Sequence, residues 1–252
     1  MQLLAKEISS YNEISVYETT ELYGEMGKFR FLQFADGAVQ GALDIKHPDR
    51  IVLEYPRAII HLLEKNNPSL ENVFVIGHGT GTIAGHFPDK RFTVAEIDAQ
   101  VVELSRRFFN YSQNNVVTGD GRQLLEKEAP NTFDFIILDA FSAKGTPMHL
   151  VTIDFFTMAK EKLNARGAVV MNLMGKSRND KLINAIHTTL KAVFAETKAF
   201  SPESAGASDL RNIILIGSDR AIDLEIKQMA GFIEIGLEQG HTIVDRDNGL
   251  HG

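Results

Sequence analysis

Short β-prone runs fill the first 45 residues of the chain. Valine, tyrosine, phenylalanine and threonine are frequent in EISVYETT, KFRFLQFADG and AVQGAL, and the stretches YGEMG and ADG separate these runs. Such runs bounded by turn residues are typical of short antiparallel strands. We therefore predict a small antiparallel β module over residues 1–46, followed by a larger domain over residues 47–252.

From residue 50 onward, helical spacing of apolar residues alternates with continuous apolar runs. Helical spacing occurs in residues 50–65, where Pro56 is expected to kink or delay the helix, and in AQVVELSRRFF, DFFTMAKEKL and LINAIHTTLKAVF. The predicted strands are NVFVI, FTVAEI, NVVTGD, FDFIILDA, GAVVMNL and RNIILIG. Uniformly apolar strands separated by helices indicate an α/β fold with a Rossmann-like parallel sheet covered on both faces.

A glycine loop follows the first strand of this domain, with Gly77, Gly79 and Gly81 at alternate positions. Ligands bind at the carboxyl ends of strands in such sheets. A dinucleotide fingerprint needs a third glycine where this chain has Thr82, and a phosphate loop needs a Gly-Lys-Ser/Thr that is missing. Two interpretations remain: a backbone approach to a nucleoside without a pyrophosphate, or a tight turn only.

Carboxylates stand at the ends of the next three predicted strands. Glu96 is suited to accept hydrogen bonds from both hydroxyls of a ribose, whereas Asp98 is expected to cap the helix that follows. Asp120, next to Gly121, either accepts from an adenine amino group or caps a helix. Asp139 comes directly after FDFIIL, where an unpartnered charge is costly to bury. Together these strand ends predict one ligand site.

Composition and charge exclude several classes of function. The chain has 252 residues, no cysteine and a net charge of −7, which exclude thiol chemistry and disulfides and fit a reducing cytoplasm. No basic cluster favours nucleic acid, and no 18-residue apolar stretch favours a membrane span. The histidines lack metal-ligand spacing, so no metal is expected, and His78 in the glycine loop either touches the ligand or fills space. The polar C-terminal twenty residues are expected either to form a loose tail or to cover a site.

Several of these segments, taken in order, resemble the spermidine synthases and their aminopropyltransferase relatives. The resemblance runs from about Tyr11 to Gly217 and includes SYNEISVYETTELYG, FADGAVQ, VFVIGHGTGT, VAEIDAQVVELSRRFF, VVTGDGRQLL and FDFIILDAFSAKGTPMHLVTIDFF. It implies an N-terminal β module, often used in dimerisation, and a class I methyltransferase-type domain that binds an adenosyl sulfonium as co-substrate. A homodimer is therefore expected.

The resemblance also implies roles for individual residues. Glu96 would hold the ribose, Asp120 would accept from the adenine amino group, and Asp139 would contact the attacking amine and take its proton. The residues expected to bind the nucleoside co-substrate are Gly77, Gly79, Thr80, Gly81, Glu96, Asp120 and Gly121, and those expected to be catalytic are Asp139 and Tyr55.

Three departures from the family pattern concern acids that hold cationic amines. The family loop usually reads G-G-G-D-G-G, and Thr80 replaces its aspartate; the strand-end motif usually reads D-S-x-D-P, and Ser142 replaces its second aspartate. A Y-H-E block appears here as Tyr55, Pro56 and Arg57. Thr80 removes a charge that would repel the α-carboxylate of S-adenosylmethionine. Arg57 either binds that carboxylate or is an exposed helix residue.

Three functions remain open from the sequence. The first is a spermidine-synthase-like transferase that moves a methyl or aminocarboxypropyl group from S-adenosylmethionine to a small-molecule acceptor, possibly an amine. The second is a polyamine aminopropyltransferase that uses decarboxylated S-adenosylmethionine. The third is a nucleoside-binding protein without catalytic activity. Retention of Asp139 and Tyr55 speaks against the third.

Overall fold

A computed structural model describes residues 1–141, 145–203, 206 and 209–245 of the protein. Its helices are α1 Glu54–Asn66, α2 Thr82–His86, α3 Ala99–Phe108, α4 Gly121–Glu126, α5 Ile153–Lys162 and α6 Lys181–Lys191, with short 3-10 turns at Met148–Leu150 and Ile226–Gln228. Its strands are β1 Gln2–Ile8, β2 Glu13–Leu22, β3 Glu25–Phe34, β4 Val39–Asp44, β5 Asn72–Ile76, β6 Arg91–Glu96, β7 Val116–Thr118, β8 Phe133–Leu138, β9 Leu163–Gly175, β10 Glu196–Pro202, β11 Arg211–Ser218 and β12 Phe232–Glu234.

The N-terminal sheet is antiparallel, in the order β1-β2-β3-β4, which confirms the predicted β module. Its buried Ile14, Val16 and Leu32 pack against Val101 and Leu104 of α3, so the sheet is fixed to the larger domain by an apolar contact. Strand β1 was not predicted. It lies at the edge of the sheet with most side chains exposed or half-buried, so backbone pairing with β2 rather than an apolar face defines it.

The larger sheet has the order β12-β10-β11-β9-β8-β5-β6-β7. Strands β5 to β9 pair in parallel, which confirms the Rossmann-like sheet. The predicted strand RNIILIG is β11, which runs antiparallel to β9, and neither β10 nor β12 was predicted. A strand buried on both faces is apolar throughout in either direction, so its sequence does not reveal which way it runs.

Strand order reverses at β5, and this reversal creates the crevice that the site occupies. The chain proceeds from β5 outward to β6 and β7 and then returns to β8 on the other side of β5. In open α/β sheets, ligands bind outside the carboxyl ends of the strands at such a switch point. Gly77 and Asp139 directly follow β5 and β8, and the amide of Asp139 donates to the carbonyl of Ile76 at 2.8 Å.

Helix α1 begins at Glu54, which places Pro56 in its first turn. A proline there costs no helical hydrogen bond, since the first amides of a helix have no partner within it. Pro56 therefore delays the start of the helix, one of the two predicted effects. Because Tyr55 is the second residue of α1, its side chain stands at the end of the helix that faces the crevice.

Hydrogen bonds and an ion pair hold the described part of the C-terminal segment against α6 and α4. The amides of Gly240 and Ile243 donate to the hydroxyls of Thr188 and Thr189 on α6, at 2.8 Å and 2.9 Å. Asp245 forms a bidentate ion pair with Arg122 of α4. Up to residue 245 this segment is thus not a loose tail, and residues 246–252 lie outside the described residues. Among the described helices, none combines the length and the apolar content that a bilayer crossing requires.

Candidate active site

A cleft of about 240 Å³ lies between the carboxyl ends of β5, β6, β7 and β8 and the N-terminal sheet. The strand ends contribute Gly77, Gly79, Glu96, Asp120, Gly121 and Asp139, which the sequence predicted as site residues. The N-terminal sheet and its loops contribute Tyr11, Asn12, Phe34 and Gln40, and the segment after β8 contributes Phe141, Pro147, His149 and Leu150. Sequence reasoning missed these two groups, because no strand-end pattern marks them.

The glycine loop makes two approaches that exclude a side chain. Gly77 has φ +99°, and a Cβ there would lie 2.1 Å from the carbonyl oxygen of Asp139. Gly79 has φ +53°, and a Cβ there would lie 2.9 Å from the carbonyl oxygen of Gln40. The loop backbone is therefore packed between the end of β8 and the N-terminal sheet, and Gly81, also at positive φ, begins α2 behind it.

Glu96 ends β6 with 8% of its surface exposed, and two backbone amides fix its carboxylate. Oε2 accepts from the amide of His78 at 2.8 Å and Oε1 accepts from the amide of Asp98 at 2.9 Å. Burial raises the pKa of Glu96, while these two amides act in the opposite direction. Each carboxylate oxygen has more than one acceptor position, so the held carboxylate remains able to accept from two ribose hydroxyls.

Two of the strand-end aspartates cap helices. Asp98 accepts from the amide of Gln100 at 3.0 Å, as predicted, and also from the hydroxyl of Ser9 at 2.5 Å, which ties the N-terminal sheet to α3. Asp120 accepts from the amide of Gln123 at 2.9 Å, and its Oδ2 lies 2.9 Å from Nε2 of His149. The capping interpretation of Asp120 is thus confirmed, and its role toward adenine stays a prediction.

Asp139 lies in the cleft between two hydrogen-bond donors. The amide of Asn172 donates to Oδ1 at 2.8 Å and the hydroxyl of Tyr55 donates to Oδ2 at 3.2 Å. Burial raises the pKa of Asp139 to about 6, although both donors lower it. Burial also raises the pKa of Tyr55 well above its ordinary value, so the phenol keeps its proton. The two residues predicted as catalytic therefore meet, and their geometry suits a proton acceptor.

Thr80 is buried between the glycine loop and the N-terminal sheet. Its Oγ1 lies 3.0 Å from Oγ1 of Thr82, and a Cβ on Gly41 would lie 2.1 Å from the same Oγ1. Thr80 lines a second, smaller cavity of about 20 Å³ together with Tyr55 and Asp139. Residue 80 therefore shares this cavity with both residues that the sequence predicted as catalytic.

Arg57 is an exposed residue of α1. Its side chain is exposed, its Nε donates to the carbonyl of Leu53 at 3.3 Å, and it does not line either cavity. These observations fit the interpretation of Arg57 as an exposed helix residue, and carboxylate binding by Arg57 stays a prediction. Ser142, the third departure from the family pattern, lies outside the described residues.

His78 packs into the interior between the glycine loop and α3. Its Nε2 lies 2.7 Å from the hydroxyl of Ser105, and its ring meets that of Tyr111 edge-on at 4.5 Å. Burial lowers the pKa of His78 to about 4, so the imidazole is neutral at pH 7. This packing agrees with a space-filling role, but His78 also lines both cavities, so its contact with a ligand stays a prediction. Among the described residues, no group of three or more His, Asp or Glu side chains is arranged to hold a metal ion.

Comparison with known proteins identifies the family to which the chain belongs. A family model, the spermine/spermidine synthase domain, matches residues 53–202. The chain belongs to this family. A polyamine aminopropyltransferase of Vibrio vulnificus is 28% identical over 218 residues, covering 81% of this chain and 69% of the relative. One of Chromobacterium violaceum is 29% identical over 228 residues, covering 87% and 86%. The solved structure of a probable spermidine synthase from Corynebacterium glutamicum superposes with a TM-score of 0.83 over 100% of both chains at 20% identity.

Replacement of Glu96 with Ala is expected to weaken methylthioadenosine binding by about 10- to 100-fold, because one charged acceptor serves both ribose hydroxyls. Titration calorimetry with methylthioadenosine and its 2′-deoxy analogue measures this. The wild type should prefer the ribonucleoside, and the variant should have lost that preference. An unchanged preference in the variant would remove Glu96 from the ribose site, even if overall affinity fell through disturbance of the His78 loop.

Proposed function

We propose that the protein transfers an alkyl group from S-adenosylmethionine to the nitrogen of a small amine acceptor. The observation that supports this most is Asp139, a carboxylate with its pKa raised to about 6, held by Tyr55 and Asn172 in a cleft whose other end has Glu96 and Asp120. In this reaction the acceptor nitrogen attacks the sulfonium carbon, the new N–C bond forms, and the C–S bond breaks with its electrons left on a neutral thioether. The ammonium proton passes to Asp139.

Positioning accounts for most of the catalysis that this chemistry needs. The sulfonium is already activated and its leaving group is neutral, so the protein has to align donor and acceptor and accept one proton. A base is most effective when its pKa lies near the working pH, and burial brings Asp139 toward that range. Tyr11, Phe34 and Gln40 of the N-terminal sheet and its loops line the opposite wall of the cleft and would contact the bound substrates.

The identity of residue 80 supports S-adenosylmethionine as donor. Two unit charges about 4 Å apart interact by about 4 kcal/mol at an effective dielectric constant of about 20, which is enough to decide between donors. A carboxylate at this position would attract the ammonium of the decarboxylated donor and repel the α-carboxylate of S-adenosylmethionine. Thr80 is neutral, and Asp139 is the one acidic residue that lines the small cavity beside it.

We expect Thr80→Asp to invert the donor preference. Wild type should bind S-adenosylmethionine more tightly than its decarboxylated form, and the variant should favour the decarboxylated form by about tenfold or more. Thr80→Val, which keeps shape and neutrality, is the matched control and should leave the ratio of the two dissociation constants unchanged. Calorimetry with both donors gives that ratio. Tighter binding of the decarboxylated donor by wild type would overturn the proposed donor.

The second candidate is a polyamine aminopropyltransferase that uses the decarboxylated donor. The names of the relatives from Vibrio vulnificus and Chromobacterium violaceum favour it. It shares the roles proposed for Glu96 and Asp139 and differs in the donor and in the acceptor, a diamine. Formation of spermidine from putrescine with the decarboxylated donor would establish this candidate in place of the first.

A further inference from the structure

A chain of hydrogen-bonding side chains extends from Asp139 into the sheet. Asn172 of β9, with 1% of its surface exposed, donates from Nδ2 to Oδ1 of Asp139 at 2.8 Å. Asn212 of β11 donates from Nδ2 to Oδ1 of Asn172 at 2.9 Å. In the antiparallel register Asn212 is opposite Met174, two residues from Asn172, so both amides lie on one face of the sheet. Sequence reasoning missed both residues.

The direction of these hydrogen bonds is set by the chemistry of the groups. An ionised carboxylate only accepts, so Asn172 has to present its NH₂ to Asp139. The amide oxygen of Asn172 then faces the other way and needs a donor, which the NH₂ of Asn212 supplies. If Asn172 turned over, its oxygen would face Asp139, and only a protonated Asp139 would complete a hydrogen bond. The orientation of one amide and the protonation of one carboxyl are thus linked.

We propose that Asn172 and Asn212 are positioning residues that hold the Asp139 carboxylate as a hydrogen-bond acceptor aimed into the cleft. The role of that carboxylate as a base rests on the proposed function, whereas the linkage between the amides and its proton does not. Without this pair, burial alone would favour the protonated carboxyl, which accepts no proton from an ammonium.

Few titratable groups face Asp139 from the elements around it. Helix α1 presents Tyr55. The pKa of Tyr55 is raised by burial and also by Tyr23 of the β2–β3 turn. Strands β9 and β11 present the two neutral amides. No cation among the described residues bonds to Asp139, so the donors that stabilise its ionised form are Asn172 and Tyr55.

The test is the ionisation of Asp139 in the free protein, measured by ¹³C NMR of labelled aspartate carboxyls, with Asp139→Asn assigning the signal. Wild type should titrate near pH 6. Asn172→Leu removes the donor while keeping a side chain branched at Cγ, and it should raise the midpoint by about 1 to 2 pH units. Asn212→Asp offers only acceptors to Asn172, should turn its amide over, and should raise the midpoint by a comparable amount. Asn212→Leu, which only removes a donor, should raise it less.

A double variant separates the amide linkage from simple charge repulsion. If Asn212→Asp acts through the Asn172 amide, its shift should largely disappear in the Asn172→Leu background; an equal shift in both backgrounds would show charge repulsion alone and overturn the proposal. A midpoint within about 0.3 pH unit of wild type in Asn172→Leu would also overturn it. Should Asn172→Leu not fold, the comparison of Asn212→Asp with Asn212→Leu decides the question. Since no turnover is measured, failure of the proposed function leaves these results unaffected.

Discussion

Replacement of Asp139 with Asn is expected to slow alkyl transfer by about a hundredfold or more while changing nucleoside affinity little. Asparagine keeps the shape of the side chain and removes the proton acceptor. The change leaves Glu96 and Asp120, the residues expected to bind the nucleoside, unaltered. Single-turnover kinetics with saturating donor measure the chemical step, and calorimetry with methylthioadenosine measures the binding that should persist.

The pH dependence of the same step supplies the control. Asp139 acts as a base only when ionised, so the wild-type rate should fall as pH decreases through about 6 and level off above that value. The Asn variant should lack this decline, since the group that titrates is gone. Two results would show that Asp139 has only a structural role at the end of β8. One is a chemical step in the variant that is as fast as in wild type, and the other is a rate decline near pH 6 that persists in the variant.

Replacement of Gly77 with Ala is expected to cause a large loss of both stability and nucleoside binding. The new Cβ would lie 2.1 Å from the carbonyl oxygen of Asp139, a backbone atom that moves only if the end of β8 moves. The residue also has φ +99°, which an L side chain disfavours by about 1 to 2 kcal/mol. We expect the total cost to exceed about 3 kcal/mol and methylthioadenosine affinity to fall at least about tenfold.

Gly231 offers a matched control for that substitution. It has φ +86°, and a Cβ there meets no atom within 4 Å. Gly231→Ala therefore has the conformational cost without the contact, and it should lose about 1 to 2 kcal/mol while keeping nucleoside affinity. Urea unfolding and calorimetry on both variants separate the two effects. Equal losses in the two variants would show that the approach of Gly77 to Asp139 has no energetic importance.

The strand-end part of the site was predictable because a local rule places it. In a parallel sheet the carboxyl ends of neighbouring strands meet at one edge, so a glycine or carboxylate directly after an apolar run has a known location. Gly77, Glu96 and Asp139 follow this rule. Asn172 is marked in the sequence only as a polar residue inside the apolar run GAVVMNL. Its contact with Asp139 could be inferred only once the pairing of β8 with β9 was known.

The residues that sequence reasoning missed reach the cleft through tertiary packing. Gln40 lies on β4 and Tyr11 in the β1–β2 loop, and both reach the cleft because the apolar face of the N-terminal sheet packs on α3. Asn212 depends on the antiparallel register of β11, which an apolar sequence does not reveal. Arg57 stands where the family has an acid, but the alignment alone did not reveal that its side chain is exposed and bonds to the carbonyl of Leu53.

Donor consumption followed by mass spectrometry tests the proposed reaction as a whole. The protein is incubated with S-adenosylmethionine or its decarboxylated form, each with a panel of primary amines that includes putrescine and with the small-molecule fraction of a cell extract. We predict that S-adenosylmethionine is consumed when an acceptor is present, with release of S-adenosylhomocysteine for methyl transfer or methylthioadenosine for transfer of the longer chain, and that Asp139→Asn suppresses this release. Consumption of the decarboxylated donor alone, with spermidine formed from putrescine, would contradict the proposed donor, and binding of methylthioadenosine without consumption of either donor would contradict catalysis itself.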